Sequence, residues 1–466
     1  MFAQTDLKQS SVCRFRGSRV LAAWIFLGLS FGPFAGAQSP TGEAAGTGDR
    51  SLASSVPLSM HEAVRLALKQ NPLLFASRLE ALESKQQVNV ARSAFLPKSG
   101  LQLEEQMNRL NLATLIGQEA PPYSVGPYGN LQVGSTFDVP VIAVSAWKGY
   151  QAAKQRSNAA ASDDQDFRER IVGLVVAQYL SVQRSKATEK AVQSRIDLAE
   201  SLQKLAADAL QQGTGTNTDA LRASVELKVE QQNLVEAQAQ TSAYGYGLAQ
   251  LLGFAANQQV IATEELSSET ETQPDENSSL QEALKTRPDL LAAQERQRAA
   301  TFDHQSARAE RLPEFHFDGY WAESGRAPGR GLPVYSYQAE MRVPIFTGGR
   351  VSAEIKESAL AADRSSRLVD DRRNVVTQEV RTALTNLQAA RQELQLSTDA
   401  VALSTRELKE SRDRFAAGVT NNIEVITAQN SLAQSTDSQI GAMYRLQQAN
   451  ADLSQARGRI AEDYAK

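Results

Sequence analysis

An internal repeat constrains the fold of this chain more than any local pattern. Residues 213–221 match residues 418–426 at an offset of 205, so that Gly213 corresponds to Gly418 and Asp219 to Glu424. Glycine supplies the left-handed residue that ends many helices, and a polar residue after it, Asn421 or Asn422 at the second tip, can cap the next helix. Two copies of one unit, each with a long helical hairpin and a tight tip, are therefore predicted to fill most of the 466 residues.

The helices of these hairpins are predicted from apolar residues that recur every seven positions. The series before the second tip is Val380, Leu387, Leu394, Val401, Leu408 and Phe415; after the tip Leu432, Leu446 and Leu453 keep the same period, with Gln439 at the remaining place. Such a seam is typical of helices that pack on other helices along their whole length. Proline is absent from 141–273 and from 345–466, as long helices require. The segment 145–212 alone would extend roughly 100 Å at about 1.5 Å per residue.

Each copy also contains a stretch that is typical of β-strands. A helical segment broken by Pro72 or Pro288 ends in Leu-Pro, and the apolar period then changes from about 3.6 to 2. Two strands per copy are predicted, each long enough to cross a bilayer at a tilt. The residues predicted to face lipid are Leu131, Val133, Phe137, Phe315, Phe317, Tyr335 and Tyr337. A soluble hairpin with one wet face is the alternative.

Both second strands are predicted to end in a Val-Pro turn that leads into the long helix. The residues of these turns are Pro140 in the first copy, and Pro344, Gly348 and Gly349 in the second. The Gly-Gly-Arg sequence there lacks the Lys-Ser/Thr ending of a phosphate-binding loop. Tyr320, Trp321, Tyr335 and Tyr337 are predicted to form an aromatic girdle at the membrane interface.

The first 37 residues have the pattern of a cleaved secretory signal. Three arginines precede an apolar stretch at 20–31, and Ala35-Gly36-Ala37 follows it. That stretch is shorter than the roughly 20 residues of a spanning helix. The only cysteine, Cys13, precedes it and is not expected to carry a lipid at the mature N-terminus. Residues 38–57 are predicted to be a disordered lead.

Composition argues against several other classes of function. The formal charge is −4 and no basic block is present, which disfavours nucleic acid as a partner. His61, His304 and His316 lie far apart in sequence, so no metal site is expected. No constellation typical of acid–base or nucleophilic catalysis is found, and neither a cofactor nor an enzyme activity is expected.

The predicted strands imply that several chains share one barrel. The domain plan is repeat 1 at 58–254, a linker at 255–279, repeat 2 at 280–458 and a tail at 459–466. Four strands per chain are too few, because the smallest closed membrane barrel has about eight. Open strand edges are not tolerated in lipid, so copies of the chain must complete the wall.

Over about 58–458 the sequence resembles the outer-membrane efflux proteins, or TolC family. The resemblance rests on Met60 to Val64 with Asn71-Pro72, on Ala91 to Pro97, on Val343 to Arg350 and on the paired tips. It implies an α+β membrane protein: a homotrimer with a twelve-stranded outer-membrane barrel that continues as a periplasmic α-helical barrel. It also implies the exit duct of a tripartite efflux pump or type I secretion system, whose partners are a periplasmic adaptor and an inner-membrane pump of the RND or ABC type.

By position, the resemblance places the tunnel constriction and the adaptor contact at the two tips. The corresponding residues are Gly213, Asp219, Phe415, Gly418 and Glu424. Thr347, Thr420 and Thr427 stand where the family often has charged residues. Asp219 and Glu424 have a simpler alternative role as carboxylates that stabilise helix N-termini. The competing function is a periplasmic coiled-coil adaptor or scaffold without a pore, which normally has one hairpin flanked by compact β domains.

Overall fold

The computed structural model describes residues 54–111, 124–213, 215–268, 275–327 and 329–465. The predicted signal segment and residues 38–53 of the predicted lead lie outside these ranges. The elements up to the first hairpin are β1 (Ser54–Leu58), α1 (Met60–Gln70), α2 (Pro72–Ser93), β2 (Lys98–Asn111), β3 (Ser124–Ile142), α3 (Val144–Gln211) and α4 (Asn217–Leu251).

The second half contains the same order of elements. They are β4 (Gln258–Ala262), α5 (Glu276–Thr286), α6 (Pro288–Ala309), β5 (Glu314–Gly325), β6 (Leu332–Arg342), α7 (Arg350–Ala416), α8 (Asn422–Ala456) and α9 (Ile460–Ala465). The long helices α3 and α7 have 68 and 67 residues, and their partners α4 and α8 have 35 each.

In each half, the residue before the proline that starts α2 or α6 bonds to the last residue of the hairpin's second helix. Asn71 caps α2 by accepting from the Leu73 amide, and its Nδ2 donates to the Leu251 carbonyl at 2.8 Å. Arg287 stands at the equivalent position before α6, and its Nη1 donates to the Ala456 carbonyl at 3.3 Å. Leu251 and Ala456 are the last residues of α4 and α8. Proline at the first helical position is well tolerated, because its missing N–H would have no partner there.

The largest apolar cluster packs around α3, beside a two-stranded parallel sheet of β1 and β4. Tyr179 is fully buried, and its hydroxyl donates to the Leu58 carbonyl at 2.9 Å. Ile460, the first residue of α9, is also fully buried in this cluster.

The structure corrects three of the predicted segment assignments. The last four residues of the predicted disordered lead belong to β1, the predicted linker contains β4 and the start of α5, and the predicted tail folds as α9. Each of these short segments is ordered by elements far from it in sequence: β4 and α9 contact α3, β1 pairs with β4, and α5 packs on α7.

The larger sheet is antiparallel, with the order β2-β3-β5-β6. Its two outer strands, β2 and β6, have no strand partner on one side in the described part of the chain. Below the sheet, α3 packs against α2 and α4 on one side and against α6 and α8 on the other. The helix α7 packs on α6 and α8, so α2, α4 and α7 form the outer edges of this helical wall. Among the helices in the described ranges, we find none with a run both long and apolar enough to traverse a bilayer.

A buried carboxylate on α3 makes the stability of the C-terminal attachment depend on pH. Glu169 accepts from the Ala461 amide at 2.9 Å, but burial raises the pKa of its carboxyl above the usual value. The folded state therefore holds the proton more tightly than the unfolded state, and stability is gained as the pH falls through the folded pKa. Glu169→Gln is expected to raise the melting temperature at pH 7.5, and the gain should shrink as the pH falls.

The matched control is Glu200→Gln, which removes an exposed carboxylate from the same helix. Thermal unfolding of both variants between pH 5 and 8 checks the prediction. A Glu169→Gln protein that melts below the parent at pH 7.5 would show that the ionised carboxylate stabilises the fold.

Candidate functional site

The four-stranded sheet has one apolar face, which carries all seven residues that were predicted to face lipid. The register pairs Val139 with Phe317 and Gly319 with both Phe137 and Tyr337, so odd-numbered residues share this face. The Phe137 ring lies 5.7 Å from the Phe317 ring and 5.6 Å from the Tyr337 ring, measured between centroids. Several of these side chains are exposed in the isolated chain, including Tyr335 at 67% and Tyr337 at 54%.

The opposite face of the sheet is polar. Asp138 pairs with Asp318, which pairs with Gln338, and the His316 Nδ1 lies 3.5 Å from an Asp138 carboxylate oxygen. Tyr320 pairs with Thr136 and Ser336 on this polar face. The prediction that Tyr320 shares a girdle with Trp321 is therefore wrong, because adjacent residues of a strand point to opposite faces.

The connections from strand to helix differ between the two copies. Pro344 follows the end of β6, and Gly348 and Gly349 have φ values of 62° and 86° before α7 begins at Arg350. In the first copy β3 continues to Ile142, so Pro140 lies within the strand and not in the turn. Pro140 sits beside a register shift against β5, and such irregular positions are where proline is accepted within a sheet.

The second hairpin tip is a short turn closed by main-chain hydrogen bonds. Gly418, with φ of 70°, donates to the Phe415 carbonyl at 3.0 Å, and Val419 donates to the Arg414 carbonyl at 3.0 Å. This pair of bonds is the Schellman arrangement, which requires the left-handed residue that glycine supplies. Asn421 then caps α8 by accepting from the Ile423 amide.

The first tip uses the same devices in a turn of the same length. Gly213 has φ of 73° and donates to the Leu210 carbonyl, and Gly215 donates to the Ala209 carbonyl at 2.9 Å. Thr216 caps α4 by accepting from the Asp219 amide at 3.2 Å. Both glycines predicted from the repeat therefore end their long helices in the same way.

The two predicted tip carboxylates occupy the third position of their helices. Asp219 is only 9% exposed and accepts from the Thr216 hydroxyl at 2.6 Å. Glu424 accepts from the Thr420 hydroxyl and lies 3.3 Å from an Arg414 guanidinium nitrogen. Negative charge in the first turn is stabilised by the helix dipole, so this geometry accounts for both carboxylates structurally. Their influence on a conducted substrate stays a prediction.

The two tips pack directly against each other. Their shared apolar cluster takes residues from all four hairpin helices: Leu202, Ala206, Ala223, Leu408, Val425 and Ala428. Phe415 packs against the rim of this cluster. Asn422, which has no exposed surface, donates from Nδ2 to the Asp219 carbonyl at 2.8 Å, while its Oδ1 has no partner among the described residues. Sequence reasoning treated Asn422 as a capping candidate and missed this bond between the tips.

A second polar contact joins the hairpins behind the tips. Arg195 on α3 and Asp437 on α8 form an ion pair at 2.8 Å. Nearby, Glu226 on α4 lines a cavity of about 140 Å³ between the hairpins. Burial, and then the charge of Glu230, raise the pKa of the Glu226 carboxyl. Within the described ranges, no group of three or more His, Cys, Asp or Glu residues could hold a metal ion.

Comparison with known proteins identifies the family. The profile of the family described as "Outer membrane efflux protein" matches residues 63–254 and 279–459. The chain is 30% identical over 182 residues to "Outer membrane protein OprJ" of Pseudomonas aeruginosa, a match that covers 38% of this chain and only 38% of OprJ. It is 23% identical over 439 residues to "Proteases secretion protein PrtF" of Dickeya chrysanthemi, covering 88% of this chain and 90% of PrtF.

Solved structures agree on the fold. The outer membrane protein VceC of Vibrio cholerae superposes with a TM-score of 0.75 at 17% identity, covering 86% of this chain and 96% of VceC. The architecture is therefore that of the TolC-like outer-membrane channels, mostly helical with some sheet. Since the family profile covers most of the sequence, the chain belongs to the outer membrane efflux protein family. The two long hairpins also differ from the single hairpin expected of a periplasmic adaptor.

Proposed function

We propose that this protein is one subunit of an outer-membrane exit duct, which passively conducts substrates from an inner-membrane pump and a periplasmic adaptor to the outside. The observation that carries the proposal is the sheet with one apolar and one polar face and, in the described part of the chain, two open edges. An apolar face suits contact with lipid, and a polar face suits a water-filled lumen.

The open edges favour closure by further copies of the same chain. Strands β2 and β6 run in opposite directions, so β2 of one copy can pair with β6 of the next and keep the sheet antiparallel. Three copies with four strands each would give a twelve-stranded barrel. An unpaired strand edge in lipid would leave several backbone groups without partners, each costing several kcal/mol.

The helices continue this duct into the periplasm. With 68 residues, α3 extends roughly 100 Å at about 1.5 Å per residue. In this proposal the tips form the constriction and the contact with the adaptor, and the pump supplies the energy. Residues 1–37 act as the cleaved export signal, and Cys13 leaves with that signal instead of carrying a lipid.

The names of two relatives fit such a duct. OprJ is named as an outer membrane protein and PrtF as a proteases secretion protein. We propose that the pump of the RND or ABC type selects the cargo, because a passive duct needs no site built for one ligand.

Deletion of the gene, with complementation, should remove and then restore resistance or secretion. Carbonate-resistant recovery in the outer membrane as a detergent-stable trimer would support the duct, and a soluble periplasmic monomer would favour the adaptor alternative.

Removal of either tip carboxylate is expected to change conduction but not assembly. Asp219→Ala loses the Thr216 contact and Glu424→Ala loses the Arg414 contact, and each loses a first-turn charge that stabilises its helix by about 0.3–1 kcal/mol. Single-channel currents in planar bilayers should differ from the parent in size or in open time.

The control for charge alone is Asp208→Ala, which removes an exposed carboxylate from the last turn of α3. This variant should conduct like the parent. Unchanged currents in both Asp219→Ala and Glu424→Ala would confine these residues to stabilising the starts of their helices.

A further inference from the structure

The polar face of the four-stranded sheet carries a group of charges at the end that joins the helices. The charged side chains at this end are Lys98, Asp138, Glu314, Asp318, Glu340 and Arg342. The next two rows along the same face have none, and the first of these rows consists of Gly100, Thr136, Tyr320 and Ser336. The six charged residues and His316 are called the charged zone below.

His316 lies between two carboxylates of the charged zone. Its Nδ1 is 3.5 Å from an Asp138 carboxylate oxygen, and its Nε2 is 3.8 Å from a Glu314 carboxylate oxygen. Ser145, at the start of α3, donates to the other Glu314 oxygen at 3.0 Å. Directly opposite His316 on β3 is Pro140, whose side chain offers no polar group. The His316 ring is only 17% exposed, so it is enclosed next to both carboxylates.

The remaining charges of the zone come from the strands on either side. On β6, Glu340 stands opposite His316 and accepts from Arg342 at 2.7 Å, so these two charges offset each other. The adjacent row contains Lys98, Asp138 and Asp318. The charged zone of one chain therefore has two net negative charges when His316 is neutral, and one when His316 is protonated.

We infer that His316 sets the charge selectivity of the duct as a function of pH. Histidine is the side chain whose charge ordinarily changes between pH 5 and 8. A channel wall of one sign raises the local concentration of counter-ions, so the charged zone favours small cations while His316 is neutral. Protonation halves the net negative charge of the zone in every subunit and weakens this preference. The inference rests on the proposed duct, whose lumen the polar face lines, and goes beyond it by assigning the selectivity to one residue.

Reversal potentials in planar bilayers under a gradient of potassium chloride test the inference, because they report charge selectivity separately from the fraction of time spent open. For the parent, the ratio of potassium to chloride permeability should fall by roughly twofold between pH 8 and pH 5.5 in about 0.1 M salt, where the Debye length is about 10 Å. The fall should shrink in about 1 M salt, where the Debye length is about 3 Å.

Two substitutions of His316 fix its charge in opposite ways. His316→Gln should keep the parent's pH 8 selectivity at every pH, and His316→Lys should keep the lower selectivity at every pH. The matched control is His304→Gln, which removes a histidine of α6 whose Nδ1 lies 3.1 Å from the Ser358 hydroxyl, outside the sheet. This control should respond to pH like the parent.

The outcomes separate the inference from the function on which it rests. A parent channel whose selectivity is the same at pH 5.5 and pH 8 would overturn the role of His316, and this measurement needs no variant. A His316→Gln channel that retains the parent's pH dependence would overturn it as well. A parent protein that forms no channels would instead refute the proposed duct.

Discussion

Phe137→Arg is expected to abolish the assembled outer-membrane form of this protein. The Phe137 side chain lies on the apolar face of the sheet, 5.7 Å from Phe317 and 5.6 Å from Tyr337 between ring centroids. Arginine on a lipid-facing strand costs about 2–4 kcal/mol at the bilayer midplane and less near the interfaces. In the proposed assembly this penalty is incurred in every subunit.

The neighbouring residue provides the control. Thr136 lies on the same strand but faces the polar side, where it pairs with Gly100 and Tyr320. Thr136→Arg should assemble and change only the conductance of the lumen. Outer-membrane yield and trimer content on gels compare the two variants. Equal trimer yields would contradict the assignment of the apolar face to lipid.

Asn422→Asp is expected to open the tips. The substitution keeps the shape of the side chain but replaces the Nδ2 donor with a carboxylate oxygen. In the parent this nitrogen lies 2.8 Å from the Asp219 carbonyl oxygen, so two acceptors would face each other in the variant. Leaving a buried acceptor unpaired costs about 1–3 kcal/mol. Every 1.4 kcal/mol changes a population about tenfold, so the fraction of time spent open should rise roughly tenfold.

The repeat equivalent of Asn422 distinguishes the loss of the hydrogen bond between the tips from the effect of an added charge. Asn217 corresponds to Asn422 at the offset of 205 residues, but its side chain is exposed. Asn217→Asp adds the same charge to the first turn of α4 and should leave the currents unchanged. Planar-bilayer recordings compare the two variants. A closed-state lifetime in Asn422→Asp equal to that of the parent would show that this hydrogen bond does not hold the tips together.

The features that sequence reasoning predicted well are those with a local or periodic cause. Gly213 and Gly418 end their helices as predicted, because a left-handed residue at a helix terminus favours glycine wherever it occurs. The period of two placed Phe137, Phe317 and Tyr337 on one face, which the register bears out.

The features that were missed depend on contacts between distant segments. Strand β1 exists because β4, about 200 residues later, pairs with it and Tyr179 bonds to its last carbonyl. Pro140 was assigned to a turn because proline often ends strands, but a register shift against β5 accommodates it within β3. Asn421 caps α8, whereas the buried Asn422 donates to Asp219 across the tips, and no local pattern tells which of two adjacent asparagines makes the longer-range bond.

Single-particle cryo-electron microscopy of the protein extracted from the outer membrane tests the central proposal most directly. The account predicts three copies around one axis, with β2 of each copy hydrogen-bonded to β6 of the next and the Phe137 face turned to detergent. A single chain whose β2 or β6 edge is covered by another segment of the same chain would contradict it.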